Sequence, residues 1–237
     1  MSSHGQKVAV ITGASQGIGA GLVAAYRKLG YAVVATSRGI APSGDPDVLT
    51  VQGDIADPAT GERVIAAGVA RFGRIDTLVN NAGFFVAKPF TEYTEEDFSS
   101  LVAVNLGGFF RTTQHALPHM LRQGGGHVVQ ITTSLVDQPN SSLASALASL
   151  TKGGLQSATK ALAIEYATRG VRVNAVSPGI IKTPMHAEAT HGFLSGLHPV
   201  GRMGEIDDIT DAVIYLENAP FVTGEILHVD GGQNAGH

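Results

Sequence analysis

Short apolar segments alternate with longer segments of helical periodicity along the whole chain. Seven segments rich in β-branched residues predict strands at 7–12, 32–37, 48–53, 77–82, 127–132, 171–177 and 226–231. Between them, the spacing of apolar residues predicts helices over roughly 17–29, 58–72, 94–122, 143–168 and 205–218. Strands that alternate with helices form βαβ crossovers. The pattern therefore predicts an α/β fold with a parallel sheet covered by helices on both faces.

The length of the chain favours a single domain. Its 237 residues, 43% of them hydrophobic, suffice for one large α/β domain, and neither a linker nor a repeat interrupts them. We therefore predict one domain over 1–237. The segment 179–204 is long and irregular, and such loops inside a compact domain are often functional, so we predict a substrate lid there.

Composition excludes several classes of function. A formal net charge of -4 and the lack of a Lys/Arg run argue against nucleic acid as a partner. The absence of cysteine excludes disulfides and thiolate chemistry and fits a reducing compartment. The start of the sequence has no signal-peptide pattern, and no apolar stretch of about 18 residues exists to span a membrane. We expect a cytoplasmic protein without a membrane partner.

The first predicted strand runs into TGASQGIG, which places Gly13, Gly17 and Gly19 at the start of a helix. Glycines here let the backbone turn tightly and approach a pyrophosphate, whose charge faces the helix N-terminus. The spacing is G-x-x-x-G-x-G, and a glycine triplet alone is also compatible with a plain structural turn. The order of strand, turn and helix indicates a dinucleotide site.

The end of the second predicted strand bears on the type of cofactor. An acidic residue about 20 positions beyond the glycine turn would bind the ribose 2′-hydroxyl of NAD. This chain has Thr36, Ser37 and Arg38 there. No acid would repel a 2′-phosphate, and Arg38 can form a charge-assisted pair with one, although a solvated arginine after a strand is the simpler alternative. We predict NADP(H).

Several motifs occur in order along the predicted strands and loops. They are TGASQGIG, NNAG at 80–83, Asn105 in VNLGG, Lys152, SPGIIKTPM at 177–185 and VDGG at 229–232. With them the chain resembles the classical short-chain dehydrogenase/reductase family over essentially its whole length. The resemblance implies a single-domain Rossmann fold with a doubly wound, seven-stranded parallel sheet. It also implies a nicotinamide cofactor, a small carbonyl or alcohol substrate and a homotetramer or homodimer.

The resemblance assigns cofactor contacts by position. Carried over onto this sequence, they are Gly13, Ser15, Gln16, Gly17, Ile18 and Gly19 at the pyrophosphate and adenosine, Asp54 and Ile55 at the adenine, Asn81, Ala82 and Gly83 at the ribose, and Pro178, Gly179, Ile181 and Thr183 at the nicotinamide.

The catalytic set implied by the resemblance is Asn, Ser, Tyr and Lys. Asn105 would anchor a water chain, and Lys152 would bind the nicotinamide ribose. Thr133 occupies the usual serine position and Ser134 follows it, so either hydroxyl is a candidate to polarise a carbonyl. The tyrosine expected four residues before the lysine is Ala148.

The longer spacing of enoyl reductases, with tyrosine seven residues before the lysine, meets Ser145. The predicted elements place the other tyrosines away from the site, with the exception of Tyr93, whose position stays open.

Without the tyrosine, three interpretations remain open. The first is an NADP(H)-dependent oxidoreductase whose proton comes from water or from a histidine of the lid, namely His186, His191 or His198. The second is a non-catalytic NADP-binding protein of the same fold, and the third is an engineered Tyr→Ala variant of an ordinary reductase. His115 and His119 have a spacing suited to a metal, but no acid or cysteine accompanies them, so we predict no metal site.

Overall fold

The computed structural model describes residues 5–236, which are built around one sheet of seven parallel strands. The order across the sheet is β3-β2-β1-β4-β5-β6-β7, and every neighbouring pair is parallel. The predicted fold class is confirmed. The strands are β1 (Val8–Thr12), β2 (Ala32–Ser37), β3 (Val48–Gln52), β4 (Thr77–Asn80), β5 (Gly126–Ile131), β6 (Val171–Pro178) and β7 (Ile226–Val229).

Helices cover both faces of the sheet because the central strands are apolar on both sides. In β1, Val8 and Val10 belong to one buried cluster, and Ala9 and Ile11 belong to the other. This double burial explains why the strands read as continuous apolar runs. The helices are α1 (Gly17–Lys28), α2 (Pro58–Phe72), α3 (Glu95–Leu101), α4 (Gly108–Arg122), α5 (Ala146–Tyr166), α6 (His191–Ser195) and α7 (Ile206–Asn218).

The two faces are covered by different helices. Side chains of α1 and α7 pack in the cluster of Ala9 and Ile11, whereas side chains of α2, α4 and α5 pack in the cluster of Val8 and Val10. None of the described helices has the length and apolar character needed to cross a membrane.

The helix predicted over 94–122 is confirmed as helical from Glu95 to Arg122, but it is not α-helical throughout. The chain forms α3, then a π-helical turn at Val102–Gly107, and then α4. In that turn the amide of Asn105 is buried, donates to the Phe84 carbonyl at 3.2 Å and accepts from the Phe84 N–H at 3.1 Å. Helical periodicity runs through the turn unchanged, and the bonds that accompany it involve a residue 21 positions away. π-turns of this kind are frequent at functional sites.

A buried carboxylate organises the amino-terminal end of the sheet. Glu217 of α7 accepts hydrogen bonds from the hydroxyls of Tyr26 and Tyr31, both at 3.0 Å, and from Thr77 at 3.0 Å. His127 Nδ1 lies 2.9 Å from the same carboxylate. Burial alone would raise the pKa of Glu217, but the hydrogen bonds from His127, Tyr31 and Thr77 outweigh burial and lower it to about 2.

His127 is held as the neutral ring. Burial lowers its pKa despite the carboxylate of Glu217. Asn174 Nδ2 donates to Nε2 of His127 at 3.1 Å, and the Glu225 N–H fixes the Asn174 amide by donating to its oxygen at 3.1 Å. The proton of His127 is therefore on Nδ1, which donates to Glu217.

This cluster makes stability depend on pH. The folded-state pKa of Glu217 is about 2 against an ordinary value of 4.5, so its contribution is complete above about pH 4.5 and disappears as the pH falls towards 2. We expect Glu217→Gln to reduce the free energy of unfolding at pH 7, and the difference from wild type to narrow by about 2 kcal/mol between pH 6 and pH 3. Urea unfolding across this range measures it. Glu62→Gln, the same change on the exposed face of α2, is the control. A difference that stays constant with pH would contradict the assignment.

Candidate active site

The strand order reverses between β1 and β4, and a cleft opens at the carboxyl ends of the strands there. Its volume is about 1200 Å³, and its walls come from the loops that follow β1, β2, β3, β4, β5 and β6. All the cofactor positions predicted from the sequence line this cleft: Gly13, Ser15, Gln16, Gly17, Ile18, Gly19, Ser37, Arg38, Asp54, Ile55, Asn81, Ala82, Gly83, Lys152, Pro178, Gly179, Ile181 and Thr183.

A close junction between the loops after β1 and β4 forms the floor of the cleft. Thr12 Oγ1 accepts from the N–H groups of Asn81 and Ala82 at 3.1 and 3.0 Å. The Asn81 amide donates back to the carbonyls of Thr12 and Gly13 at 2.9 and 3.2 Å. Gly13 has φ of +66°, and a Cβ there would lie 2.9 Å from Ala82 Cα. A Cβ on Gly19 would lie 2.1 Å from the Gly13 carbonyl oxygen, so this junction requires glycine.

One end of the cleft presents unpaired polar atoms after β2. The hydroxyls of Thr36 and Ser37 are buried without a hydrogen-bond partner among the described residues, and both residues line the cleft. Buried polar atoms are normally satisfied, so these two hydroxyls are suited to a polar ligand. Arg38 is exposed beside them, and its guanidinium forms no ion pair with any residue between 5 and 236. This end fits the ribose phosphate of a dinucleotide.

Lys152 occupies the other end of the cleft, on α5. Its side chain is buried, and Nζ donates to the Ile131 carbonyl at the end of β5 at 2.7 Å. No carboxylate of the described residues lies within ion-pair distance of it. Burial of this unpaired ammonium lowers the pKa of Lys152 to about 8. A lysine that gives up its proton near neutral pH is typical of a reactive site.

Asn105 lies behind the cleft and does not line it. Its amide donates to Thr151 Oγ1 at 3.1 Å, in addition to the bonds with Phe84. A Cβ built on Gly83 would approach both Lys152 Nζ, at 2.9 Å, and Asn105 Oδ1, at 3.0 Å. The lysine and the asparagine therefore flank the same glycine.

The two hydroxyls proposed for polarising a carbonyl point in different directions. Thr133 lines the cleft and is half-buried, with its Oγ1 accepting weakly from the Leu135 N–H at 3.4 Å. Ser134 is buried and donates to the Gln233 side chain at 2.8 Å. The alternative of Ser134 is therefore corrected, since its hydroxyl is held away from the cleft by a residue 99 positions later.

Ala148 lines the cleft on the face of α5 that carries Lys152. None of the chain's five tyrosines lines the cleft. Tyr93, the one whose place the sequence left open, donates its hydroxyl to the Val86 carbonyl at 2.8 Å. Ser145 precedes α5 and also lies outside the cleft lining. Neither a tyrosine from elsewhere in the chain nor Ser145 therefore takes the place of the missing tyrosine in the cleft.

The segment 179–204 borders the cleft but is more ordered than predicted. It contains a 3-10 turn at Glu188–Thr190, the short helix α6, and a bridge between Ile181 and Gly204. Its sequence carries few apolar repeats, and so short a helix has no detectable period.

The three histidines of this segment have different environments. His198 is buried, accepts from the Ile180 N–H at 2.9 Å and donates to the Leu194 carbonyl at 3.0 Å. Both of its ring nitrogens are occupied, so the prediction of His198 as a proton donor is wrong. His191 lies outside the cleft lining, and only His186 lines it.

The other histidine pair, on α4, carries no metal signal. His119 Nδ1 lies 2.8 Å from a guanidinium nitrogen of Arg122. No group of three or more potential metal ligands is found in the part of the chain that the structure describes.

The sequence did not single out the apolar part of the cleft lining. Phe84 and Phe85 follow NNAG, and Val104, Leu143, Met185 and Leu194 complete this part. These residues lie on four separate segments of the chain, and nothing in their local pattern distinguishes them from core residues. The two phenylalanines directly after NNAG were the only available signal.

With this geometry established, the relationship to known proteins is clear. Residues 13–234 match the family described as Enoyl-(Acyl carrier protein) reductase. The 3-oxoacyl-[acyl-carrier-protein] reductase FabG of Thermotoga maritima is 34% identical over 245 residues, covering 95% of this chain and 97% of the relative. The chain belongs to the classical short-chain dehydrogenase/reductase family.

Solved structures of the same fold carry nicotinamide cofactors. The structure of ElxO with NADP bound superposes with a TM-score of 0.91 at 30% identity, covering 98% of this chain and 100% of that one. The 3-ketoacyl-(acyl-carrier-protein) reductase of Brucella melitensis, complexed with NADH, gives a TM-score of 0.89 at 32% identity, with coverage of 96% and 98%.

The glycine junction yields a stability prediction. We expect Gly19→Ala to lower the free energy of unfolding by more than about 2 kcal/mol, because its Cβ would lie 2.1 Å from the Gly13 carbonyl. Gly39→Ala is the matched control, since Gly39 lines the same cleft and its Cβ would meet nothing within 4 Å. Denaturant unfolding of both variants measures the effect, and equal stabilities would refute the close junction.

Proposed function

We propose that this protein is an NADP(H)-dependent oxidoreductase that interconverts a small ketone or aldehyde and the corresponding alcohol. The observation that carries the proposal is one continuous cleft with two chemically different ends. Ser37 and Arg38 lie at one end, and Lys152 and Thr133 lie at the other. Membership of a family whose relatives are reductases supports the reaction class.

The preference for NADP(H) rests on the residues after β2. A 2′-phosphate needs hydrogen-bond donors and positive charge, and the unpartnered hydroxyls of Thr36 and Ser37 together with Arg38 supply both. No acidic residue stands among these three positions. The relatives include proteins bound to NADP and to NADH, so the preference follows from this chain's own side chains.

At the other end, the chain supplies groups for binding and polarising the substrate. A reduced nicotinamide bound in this cleft would supply a hydride to the carbonyl carbon. Thr133 Oγ1 accepts from a backbone N–H, so its own proton remains available to donate to the carbonyl oxygen. Lys152 remains suited to the ribose hydroxyls, and Asn105 supports the same region from behind.

Part of the cleft lining is apolar, which favours an apolar substrate. Phe84, Phe85, Met185 and Leu194 belong to this part. Met185 belongs to the segment 179–204, which we propose acts as the lid over the substrate. Ala148 is smaller than the tyrosine expected at its position, so we expect the site to accept a bulkier carbonyl compound than one that holds tyrosine.

An oligomer is part of the proposal. Exposed apolar side chains lie on the outer faces of α4 and α5, where Phe110 is 57%, Leu150 59% and Ile164 80% exposed. Large apolar side chains exposed on a protein surface are typical of a subunit contact. We propose that this surface joins the subunits of a homodimer or homotetramer, and that the protein is cytoplasmic.

Cofactor preference is tested by titration. We expect NADPH to bind more tightly than NADH. Arg38→Ala should weaken NADPH binding by about tenfold or more and change NADH affinity little, because only NADPH has the 2′-phosphate that forms a charge-assisted pair with Arg38. Fluorescence titration of both cofactors measures this. Arg71→Ala, an exposed arginine on α2, removes the same charge away from the cleft. Equal NADPH affinity in wild type and Arg38→Ala would reject the assignment.

The reaction itself is tested by NADPH consumption against a panel of aldehydes and ketones, with Ala148→Tyr beside the wild type. We expect wild-type turnover, because orientation of donor and acceptor supplies a large part of the rate even without a phenol. A general acid contributes about 10²–10⁴-fold, so we expect Ala148→Tyr to change the rate by no more than that factor.

The same panel distinguishes the alternatives. NADPH binding without wild-type turnover, combined with activity in Ala148→Tyr, would instead support a non-catalytic cofactor-binding protein or a reductase disabled by substitution. Failure of both forms to bind either cofactor would reject the dinucleotide site.

A further inference from the structure

Few ionisable groups line the cleft. Among the described residues that line it, only Arg38, Asp54, Lys152 and His186 can carry a charge. A proton that reaches a substrate oxygen inside the cleft must come from one of these groups, from a hydroxyl or from water. The position of each group decides which of them can act on a carbonyl bound near Thr133.

Two of the four lie at the wrong end. Arg38 follows β2 and Asp54 follows β3, whereas Thr133 follows β5. In the strand order, β1 and β4 lie between β2 and β5, which corresponds to roughly 14 Å at the usual spacing of neighbouring strands. Arg38 also cannot lose its proton in a protein. Neither group serves a substrate held against Phe84 and Phe85.

His186 is poorly suited to hold the proton. Burial lowers its pKa, and so does the charge of neighbouring His191. The ring is therefore neutral at pH 7 and has no dissociable proton of suitable acidity to donate.

Lys152 lies at the Thr133 end of the cleft, and its ammonium group has unused N–H donors. Nζ uses one of its three donor directions for the Ile131 carbonyl, which leaves two for ligands. The neighbouring position on the same helix face is Ala148, which lines the cleft and does not fill it.

Among residues 5–236, the elements packed around the lysine bring no other titratable group to it. The loop after β4 contributes Gly83, the π-turn contributes the amide of Asn105, and the end of β5 contributes Ile131 and Thr133.

We infer that Lys152 is itself the acid of the reaction, donating its proton to the substrate oxygen through the space beside Ala148, directly or through one water. This inference rests on the proposed function and adds the identity of the donor. It assigns the lysine a second task besides binding the cofactor ribose.

The step balances. An N–H bond of the Lys152 ammonium breaks and an O–H bond forms on the substrate, while the carbonyl carbon takes the hydride of the reduced nicotinamide. The carbonyl compound is reduced to the alcohol, the cofactor is oxidised, and Lys152 is left as a neutral amine. Solvent returns a proton to the amine. Oxidation of an alcohol uses the same path in reverse, with the neutral amine as base.

The acidity of the lysine supports this role. Burial lowers the pKa of Lys152 to about 8, so the group is mostly protonated at pH 7 yet releases its proton readily. An acid of this pKa loses its proton as the pH rises through about 8. Reduction must therefore slow above that pH, and alcohol oxidation must become faster.

The test combines kinetics with a direct titration. NADPH-loaded protein is mixed rapidly with 4-nitrobenzaldehyde between pH 6 and 10, and the single-turnover rate of NADPH loss is recorded. In parallel, the six lysines are labelled with ¹³C and their Cε shifts followed with pH in the cofactor-free protein. We expect both the rate and the resonance that is missing from Lys152→Arg to titrate near pH 8.

Lys152→Arg separates proton donation from binding. The guanidinium keeps the positive charge and the donors for ribose hydroxyls but does not release a proton. We expect NADPH affinity to stay within a few-fold, the rate at pH 7 to fall by about 10²–10⁴-fold, and the transition near pH 8 to disappear. His186→Gln, which changes the other titratable group of this end, must keep the transition.

The outcomes are decisive in each direction. A transition that persists in Lys152→Arg, or that disappears in His186→Gln, would overturn the inference while leaving the oxidoreductase intact. A Cε titration far above pH 8 in the wild type would overturn it even if no variant folds. No hydride transfer at any pH would reject the oxidoreductase, and with it this role for Lys152.

Discussion

The geometry of the cleft depends on the hydrogen bonds that the Asn81 and Ala82 N–H groups donate to the Thr12 hydroxyl. They join the carboxyl ends of β1 and β4 where neighbouring connections leave in opposite directions. Because the junction is so close, the glycine turn is pressed against NNAG, and helix α1 begins with its N-terminus facing the cleft. A looser junction would move the glycine turn relative to Lys152, and the two ends of the cleft would no longer share one ligand.

The sequence predicted the features that depend on local pattern. All seven strands and the glycine turn lie where the runs of β-branched residues and the glycine spacing indicated. What it missed depends on contacts between distant segments. The π-helical turn around Asn105 involves Phe84, and the orientation of Ser134 depends on Gln233, 99 residues later. The structure likewise shows that both ring nitrogens of His198 are occupied. The sequence could not predict this, because it gives the identity of a side chain and not the groups that surround it.

The buried position of Lys152 lowers the stability of the fold. A buried ammonium without a carboxylate loses its hydration, and a single carbonyl bond from Ile131 compensates only in part. An apolar residue of similar volume would stabilise this position better. Glu217 presents the opposite case, since four donors satisfy its buried charge. The contrast indicates that the carboxylate serves the fold, and it supports the role proposed for the lysine in the cleft.

The position of Glu217 in the chain also has a consequence for biosynthesis. Its hydroxyl partner Tyr26 is 191 residues earlier, and Thr77 and His127 are also made long before it. Until α7 leaves the ribosome, these donors lie at the end of an incomplete sheet without their acceptor, and buried unpaired groups of this kind are costly. Contacts of such long range form late in folding. The amino-terminal ends of the strands are therefore completed only after α7 has been synthesised, and a chain truncated before α7 would leave these donors without their acceptor.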